Sequence, residues 1–299
     1  MKSGLRAGAL TTLAIALTAV PAAAINTYNA QPAPERTEVG ELLVLWDQNQ
    51  DGVAERLSFS CSGAMVDVDT YLTAAHCTTD WSPDPADDRY FVSLEQDTEI
   101  LREASGLNRL TQGPAMAQWF VDHGYAVEGD PHYDAAFPGN ASNSHDIAVI
   151  DFADRAESPA DVWSFTPATL PTEEQLSKLG SRRLDALPWL VVGYGTQEAT
   201  REPGGHVHFG GDTRLKAQLG FNSLNASWIR LSMVEAQGWG GACYGDSGGP
   251  NFVTVDGQMI LAGTTITGDT PCYATNVAYR TDTESARSFL DPYVALPVG

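Results

Sequence analysis

Short apolar runs that recur along the chain, each ended by polar or Gly/Pro-rich residues, constrain its fold more than any other feature. They occupy 41–46, 57–65, 71–75, 90–94, 147–152, 189–194, 229–234 and 259–266. Runs of this length suit strands better than helices. Many short strands separated by turn-forming residues predict an all-β protein, built as a barrel or a sandwich. Helical periodicity is scarce: 172–187 is charged and reads as a helix or a linker, and 283–294 reads as a C-terminal helix. The stretch 112–144 is rich in Gly, Pro and Asn and poor in strand signal, which predicts a surface loop.

The N-terminus carries a different signal. Lys2 and Arg6 precede an uncharged apolar or small stretch from Ala7 to Val20, and Pro21-Ala22-Ala23-Ala24 puts small residues where a signal peptidase reads. That stretch is too short to span a bilayer, so residues 1–24 read as a signal peptide and the mature chain as a soluble, secreted, extracellular protein. Cleavage removes Lys2 and Arg6 and takes the formal charge from −21 to −23. So acidic a surface repels nucleic-acid phosphates and anionic lipid heads, which argues against nucleic acid and membrane as partners and for a soluble monomer. The four cysteines, an even set in an exported chain, suggest two disulfides rather than a metal or redox site.

Chemistry concentrates in three strings. A serine hydroxyl is a weak nucleophile near neutral pH; it needs an imidazole as base, and the imidazole needs an acceptor that fixes its tautomer. The chain offers Thr73-Ala74-Ala75-His76-Cys77, His145-Asp146-Ile147-Ala148-Val149 and Gly245-Asp246-Ser247-Gly248-Gly249-Pro250, in the order His, Asp, Ser. These strings resemble the TAAHC, DIA and GDSGGP motifs of the trypsin/chymotrypsin family, and the resemblance extends from about Cys61 to the C-terminal helix. GDSGG also satisfies the looser GxSxG pattern of α/β-hydrolases. In that fold the catalytic histidine follows the serine, whereas the last histidine here, His208, precedes Ser247. A secreted binding or adhesion protein on the protease fold is the competing class, but such a chain usually lacks a triad member and none is missing.

The resemblance implies two antiparallel six-stranded β-barrels with a short C-terminal helix, the first over 25–165 with His76 and Asp146 and the second over 166–299 with Ser247. It implies a serine endopeptidase acting on protein or peptide substrates: Ser247 as nucleophile, His76 as general base and then acid, Asp146 orienting His76, and the backbone N–H groups of Gly245 and Ser247 as oxyanion hole. It pairs Cys61 with Cys77 and Cys243 with Cys272. It also implies a buried seat at Asp246 for a new N-terminal amine, and cleavage after Ala24 would supply one on Ile25. The specificity pocket maps to Gly241, Ala242, Thr265, Thr267 and Gly268. Trypsin-like members carry an aspartate where Gly241 stands, so preference for Arg or Lys is not expected, and an uncharged floor suits an apolar or aromatic side chain.

No cofactor is implied. One loop, from Asp47 to Glu55, resembles the start of a calcium loop, with Asp47, Asn49 and Asp51 at alternate positions and Gly52 sixth. The twelfth position is Ser58 rather than glutamate, and Asp-Gly between two strand-like runs equally makes a hairpin turn. His123, His132, His206 and His208 show no dense metal-ligand spacing and read as loop residues.

Overall fold

All eight apolar runs become strands in the computed structural model, which describes residues 25, 29–79, 81, 82, 84, 87–202 and 205–298; the signal peptide expected at 1–24 lies outside them. A two-residue strand, β1 (Gln31–Pro32), comes first. The first barrel follows: β2 (Val39–Trp46), β3 (Arg56–Met65), β4 (Thr70–Thr73), β5 (Arg89–Ser93), β6 (Val127–Tyr133) and β7 (Ala148–Asp151). These close antiparallel in the order β2-β3-β4-β7-β6-β5, with β5 returning to β2.

The second barrel contains β8 (Trp189–Gly193), then, after the small hairpin β9 (Thr200–Glu202) and β10 (Gly205–Val207), the strands β11 (Leu215–Leu224), β12 (Trp228–Ser232), β13 (Pro250–Val255), β14 (Gln258–Gly268) and β15 (Thr275–Arg280). Six of them close in the order β8-β11-β12-β15-β14-β13, because Asn251 to Val253 of β13 pair back onto β8. The long β11 makes this possible: its first half pairs with β8 and its second half with β12. The fold is therefore two six-stranded antiparallel barrels, followed by a short helix at Glu284–Leu290 whose N-cap Thr283 accepts from the Ala286 N–H.

The stretch 112–144 corrects the loop expectation. It holds a helix over Gly113–Asp122 and then β6. Met116, Ala117 and Phe120 give that helix an apolar face, which packs on Leu43, Leu57 and Phe91 of the first barrel. Strand β6 reads VEGDPHY, a poor strand sequence, yet it pairs on both sides, with β5 and β7. Closure of the barrel outweighs local propensity there. A second helix, Thr98–Ser105, also went unread; Asp97 caps it by accepting from the Ile100 N–H. The charged stretch 172–187 contains two short helices, Gln175–Leu179 and Ser181–Asp185.

Ile25 and β1 lie on the second barrel, although the partition read from sequence grouped them with the first. Ile25 is fully buried among Trp189, Leu231 and other core residues of that barrel, and β1 pairs with the start of β11. Arg214, almost wholly buried, ties the barrels together through Nη1, which donates to the carbonyls of Val39 (2.8 Å) and Leu94 (3.0 Å). Among the described residues no helix is long and apolar enough to cross a membrane.

Both disulfides are formed, Cys61–Cys77 and Cys243–Cys272. The first closes a 16-residue separation between β3 and the turn after β4. Replacing both of its cysteines by alanine is expected to cost about 3 kcal/mol through the freed unfolded chain. Equilibrium urea unfolding at fixed pH measures that loss; an unchanged midpoint would remove the staple's assigned role.

Candidate active site

His76 lies on a single 3₁₀ turn, Ala75–Cys77, that continues directly from β4 and is anchored by the Cys77 disulfide. Register brings Asp146 near it: Thr73, the last residue of β4, pairs with Ala148, the first of β7, and His76 and Asp146 lie three and two residues from that pair. The Asp146 carboxylate takes His76 Nδ1 at 2.8 Å and the His76 backbone N–H at 3.0 Å. Asp146 is 6% exposed, whereas the His76 side chain is 34% exposed. With Nδ1 held by the carboxylate, the Nδ1–H tautomer is favoured and Nε2 is left to accept a proton.

A second His–Asp pair lies one residue away. His145 meets Asp134 at 2.7 Å and Ser285 at 3.3 Å, but both contacts are to the same nitrogen, Nδ1. A proton relay needs the carboxylate on one ring nitrogen and the hydroxyl on the other. His145 therefore serves to hold the loop before Asp146, where its own φ is 52°.

Ser247 sits in a tight turn ahead of β13. The Gly249 N–H donates to the Asp246 carbonyl (2.9 Å), and the Ser62 N–H donates to the Ser247 carbonyl (2.8 Å). Gly248 adopts φ +76°, and a Cβ there would stand 2.1 Å from Thr73 Oγ1 and 2.8 Å from Ala74 N. Glycine thus lets the Ser247 turn lie directly against the end of β4, beside the His76 turn. The Ser247 hydroxyl makes no hydrogen bond to His76 among the described residues; in unliganded enzymes this contact is often long and tightens with substrate.

One peptide plane sets the direction of the Gly245 N–H. Thr196 N–H donates to the Tyr244 carbonyl at 2.6 Å. In a planar trans peptide the next N–H points the opposite way, so Gly245 N–H is turned from Thr196. Neither Gly245 N–H nor Ser247 N–H has a protein acceptor among the described residues. Gly245 itself has φ +97°, and a Cβ would lie 2.9 Å from Gly195 Cα.

Asp246 is fully buried. Its carboxylate accepts from Gly195 N–H (2.9 Å) and Cys243 N–H (2.8 Å), yet burial pushes its pKa up to about 7. Ile25 N–H donates to the carbonyl of the same Gly195 at 3.1 Å. The two predicted partners thus bind opposite ends of one residue.

A cleft of about 270 Å³ opens beside Ser247, and its wall includes Ala242, Tyr244, Thr265, Thr267, Gly268 and Asn276. Four of the five predicted pocket residues are there. Gly241 is not; it is buried, and a Cβ there would meet Met233 Sδ at 2.1 Å. Asn276 and Asp269 also form part of the wall, and motif reading missed both, since they lie in stretches without a family string. The Asp269 carboxylate accepts from the backbone N–H groups of Tyr273 (2.9 Å), Ala274 (2.9 Å) and Thr275 (2.6 Å).

The Asp47–Gly52 loop forms the turn between β2 and β3. Asp47 Oδ1 accepts from Gln50 N–H (2.7 Å), Oδ2 from Gly52 N–H (2.7 Å), and Asn49 Oδ1 from Asp51 N–H (3.0 Å). Asp47 and Asn49 thus close the turn through their side-chain oxygens. His123 stacks on Trp119 and His132 on Tyr293, and His208 Nδ1 lies 2.9 Å from the Gln197 carbonyl.

Comparison with known proteins agrees with this geometry. A family model described as Trypsin matches residues 47–288. Kallikrein 1-related peptidase b22 of Mus musculus is 30% identical over 224 residues, covering 72% of this chain and 71% of the relative. The renal glandular kallikrein of Mastomys natalensis is 28% identical over 228 residues, covering 73% and 74% respectively. With a pair of closed barrels, His76 held on Asp146 and the GDSGGP turn packed against them, the chain belongs to the trypsin family and is a serine-type endopeptidase.

Proposed function

We propose that the protein is secreted and hydrolyses peptide bonds through an acyl-enzyme, with Ser247, His76 and Asp146 as its triad. The observation that carries this reading is the Asp146 carboxylate on both His76 Nδ1 and the His76 backbone N–H, beside the nucleophile turn. His76 Nε2 takes the Ser247 proton as Oγ attacks the scissile carbonyl. Gly245 and Ser247 N–H groups receive the charge on the carbonyl oxygen. His76 then gives the proton to the departing amine, and a water attacks the ester by the same route, with Asp146 ionised throughout. The leader expected at 1–24 and the two disulfides favour an extracellular setting.

Cleavage after Ala24 activates the chain in this reading, by freeing the Ile25 amine to pair with Asp246. The pocket takes an uncharged side chain, since Asp269, the charged residue on its wall, already accepts three backbone N–H groups. Incubation of a chain beginning at Ile25 with an unfolded protein tests the proposal. Internal cleavage is expected, with products that do not end mainly in Arg or Lys, and it disappears in His76→Ala. An intact substrate, or equal cleavage by the variant, would contradict it.

A further inference from the structure

One part of the pocket wall, at Thr265 and Asn276, is polar without being charged. Three buried side chains meet there: Asn251, Thr265 and Asn276, from β13, β14 and β15. Asn251 Nδ2 donates to Thr265 Oγ1 at 2.9 Å, and Asn276 Nδ2 donates to Asn251 Oδ1 at 2.8 Å and, more weakly, to Thr265 Oγ1 at 3.4 Å. Two features of this trio are left over. Thr265 Oγ1 accepts from both carboxamides, so its own hydrogen is a donor not used by either. Asn276 Oδ1 is buried and has no hydrogen-bond partner. Thr265 and Asn276 are both part of the pocket wall.

A buried acceptor without a partner is costly, and a ligand that supplies the missing donor recovers that cost. The leftover pair is one hydroxyl donor and one carbonyl acceptor. A primary carboxamide presents the complement, an oxygen that accepts and an NH₂ that donates. A hydrocarbon side chain satisfies neither group, and a carboxylate would set its charge against Asn276 Oδ1. A phenol donates one proton but engages only half of the pair.

We propose that the pocket selects a primary carboxamide, glutamine or asparagine, on the acyl side of the cut bond, with Thr265 donating to its oxygen and Asn276 accepting from its nitrogen. This rests on the reading of the cleft beside Ser247 as the substrate pocket. Asn276 and Thr265 are then specificity-determining residues that no sequence motif marks.

The test is competition among peptides that differ only at that position: Gln, Asn, Met, Leu, Glu, Tyr and Phe. Gln or Asn should be cut at least about 10-fold faster, by kcat/KM, than Met and Leu of similar size. The Gln-to-Met ratio, read within one enzyme, should fall to about one in Asn276→Leu and, separately, in Thr265→Val. A general loss of folded enzyme lowers both rates and leaves that ratio in place. Equal or faster cleavage at Met or Leu by the unaltered enzyme overturns the inference while leaving the endopeptidase reading intact. So does a preference for Tyr over Phe without one for Gln over Met. If no peptide is cut and no fluorophosphonate adduct forms, the reading beneath the inference fails with it.

Discussion

Ser247→Ala is expected to lower kcat/KM by about 10⁶-fold while leaving the fold intact. The hydroxyl is the attacking atom in the proposed chemistry, and nothing near it offers a substitute. His76 keeps its base but loses the proton it is positioned to take. The residual rate reflects the Gly245 and Ser247 N–H groups and substrate binding alone, since backbone donors survive the change. Ser247 is tied into the structure by its carbonyl, which accepts from Ser62 N–H, so removing the side chain leaves that anchor in place. Thermal unfolding of the variant should match that of the unaltered chain. Asp146→Asn should cost less, about 10⁴-fold, because the amide no longer favours the Nδ1–H tautomer although the side chain still fits. Steady-state kinetics on one peptide substrate measures both variants.

Adding one residue before Ile25 is the second large effect expected. Ile25 is fully buried, and its nitrogen sits on the carbonyl of Gly195, whose N–H binds Asp246. In the proposed activation, a chain that starts at Ile25 turns that nitrogen into an ammonium that pairs with the buried Asp246 carboxylate. An added residue turns it back into an amide and leaves the Asp246 charge without a partner. Removing one member of a buried pair costs roughly 3–5 kcal/mol, equivalent to about 10²- to 10⁴-fold in the population of the competent oxyanion loop. Activity should fall by that factor.

The same pair predicts a pH signature. In the uncut chain the Asp246 pKa is raised from 3.8 to about 7 by burial. Below pH 3.8 it is protonated in both states and imposes no penalty. Between 3.8 and 7 the folded state holds a proton that the unfolded state has lost, so stability falls as pH rises, and above 7 the loss is complete. Its full size is on the order of 4 kcal/mol. In the chain beginning at Ile25 the ammonium opposes the shift, and most of this fall should vanish. Denaturant midpoints across pH 4–8 for the two forms measure it; parallel curves and equal activities would separate Ile25 from Asp246. N-terminal sequencing of secreted enzyme adds a direct check, since any start beyond Ile25 is incompatible with this activation.

Much of this was legible before the fold was known, for identifiable physical reasons. Apolar runs such as 189–194 and 259–266 became strands because a barrel buries one face of each, which leaves a pattern in sequence. The strings around His76, Asp146 and Ser247 stood out because the proposed chemistry demands those residue types. What escaped were elements specified by their neighbours. Strand β6 carries Gly129, Asp130 and Pro131, and it is held by pairing on both edges rather than by its own residues. Gly129 is needed there because a Cβ would lie 2.4 Å from Ile150 Cγ2. Asn276 was invisible for a similar reason: a lone asparagine in TNVAYR says nothing until β13, β14 and β15 bring it beside Asn251 and Thr265. Gly241 shows the converse: counting six residues back from Ser247 puts it at the pocket floor, whereas it packs against Met233 and is not among the residues lining the cleft.

The central claim is that Ser247 is a nucleophile activated by His76. Reaction of a chain beginning at Ile25 with a fluorophosphonate, followed by digestion and mass mapping, tests it most directly. A single adduct on Ser247, absent in Ser247→Ala and strongly slowed in His76→Ala, is the predicted result; no adduct, or one on a serine elsewhere such as Ser285, would contradict it.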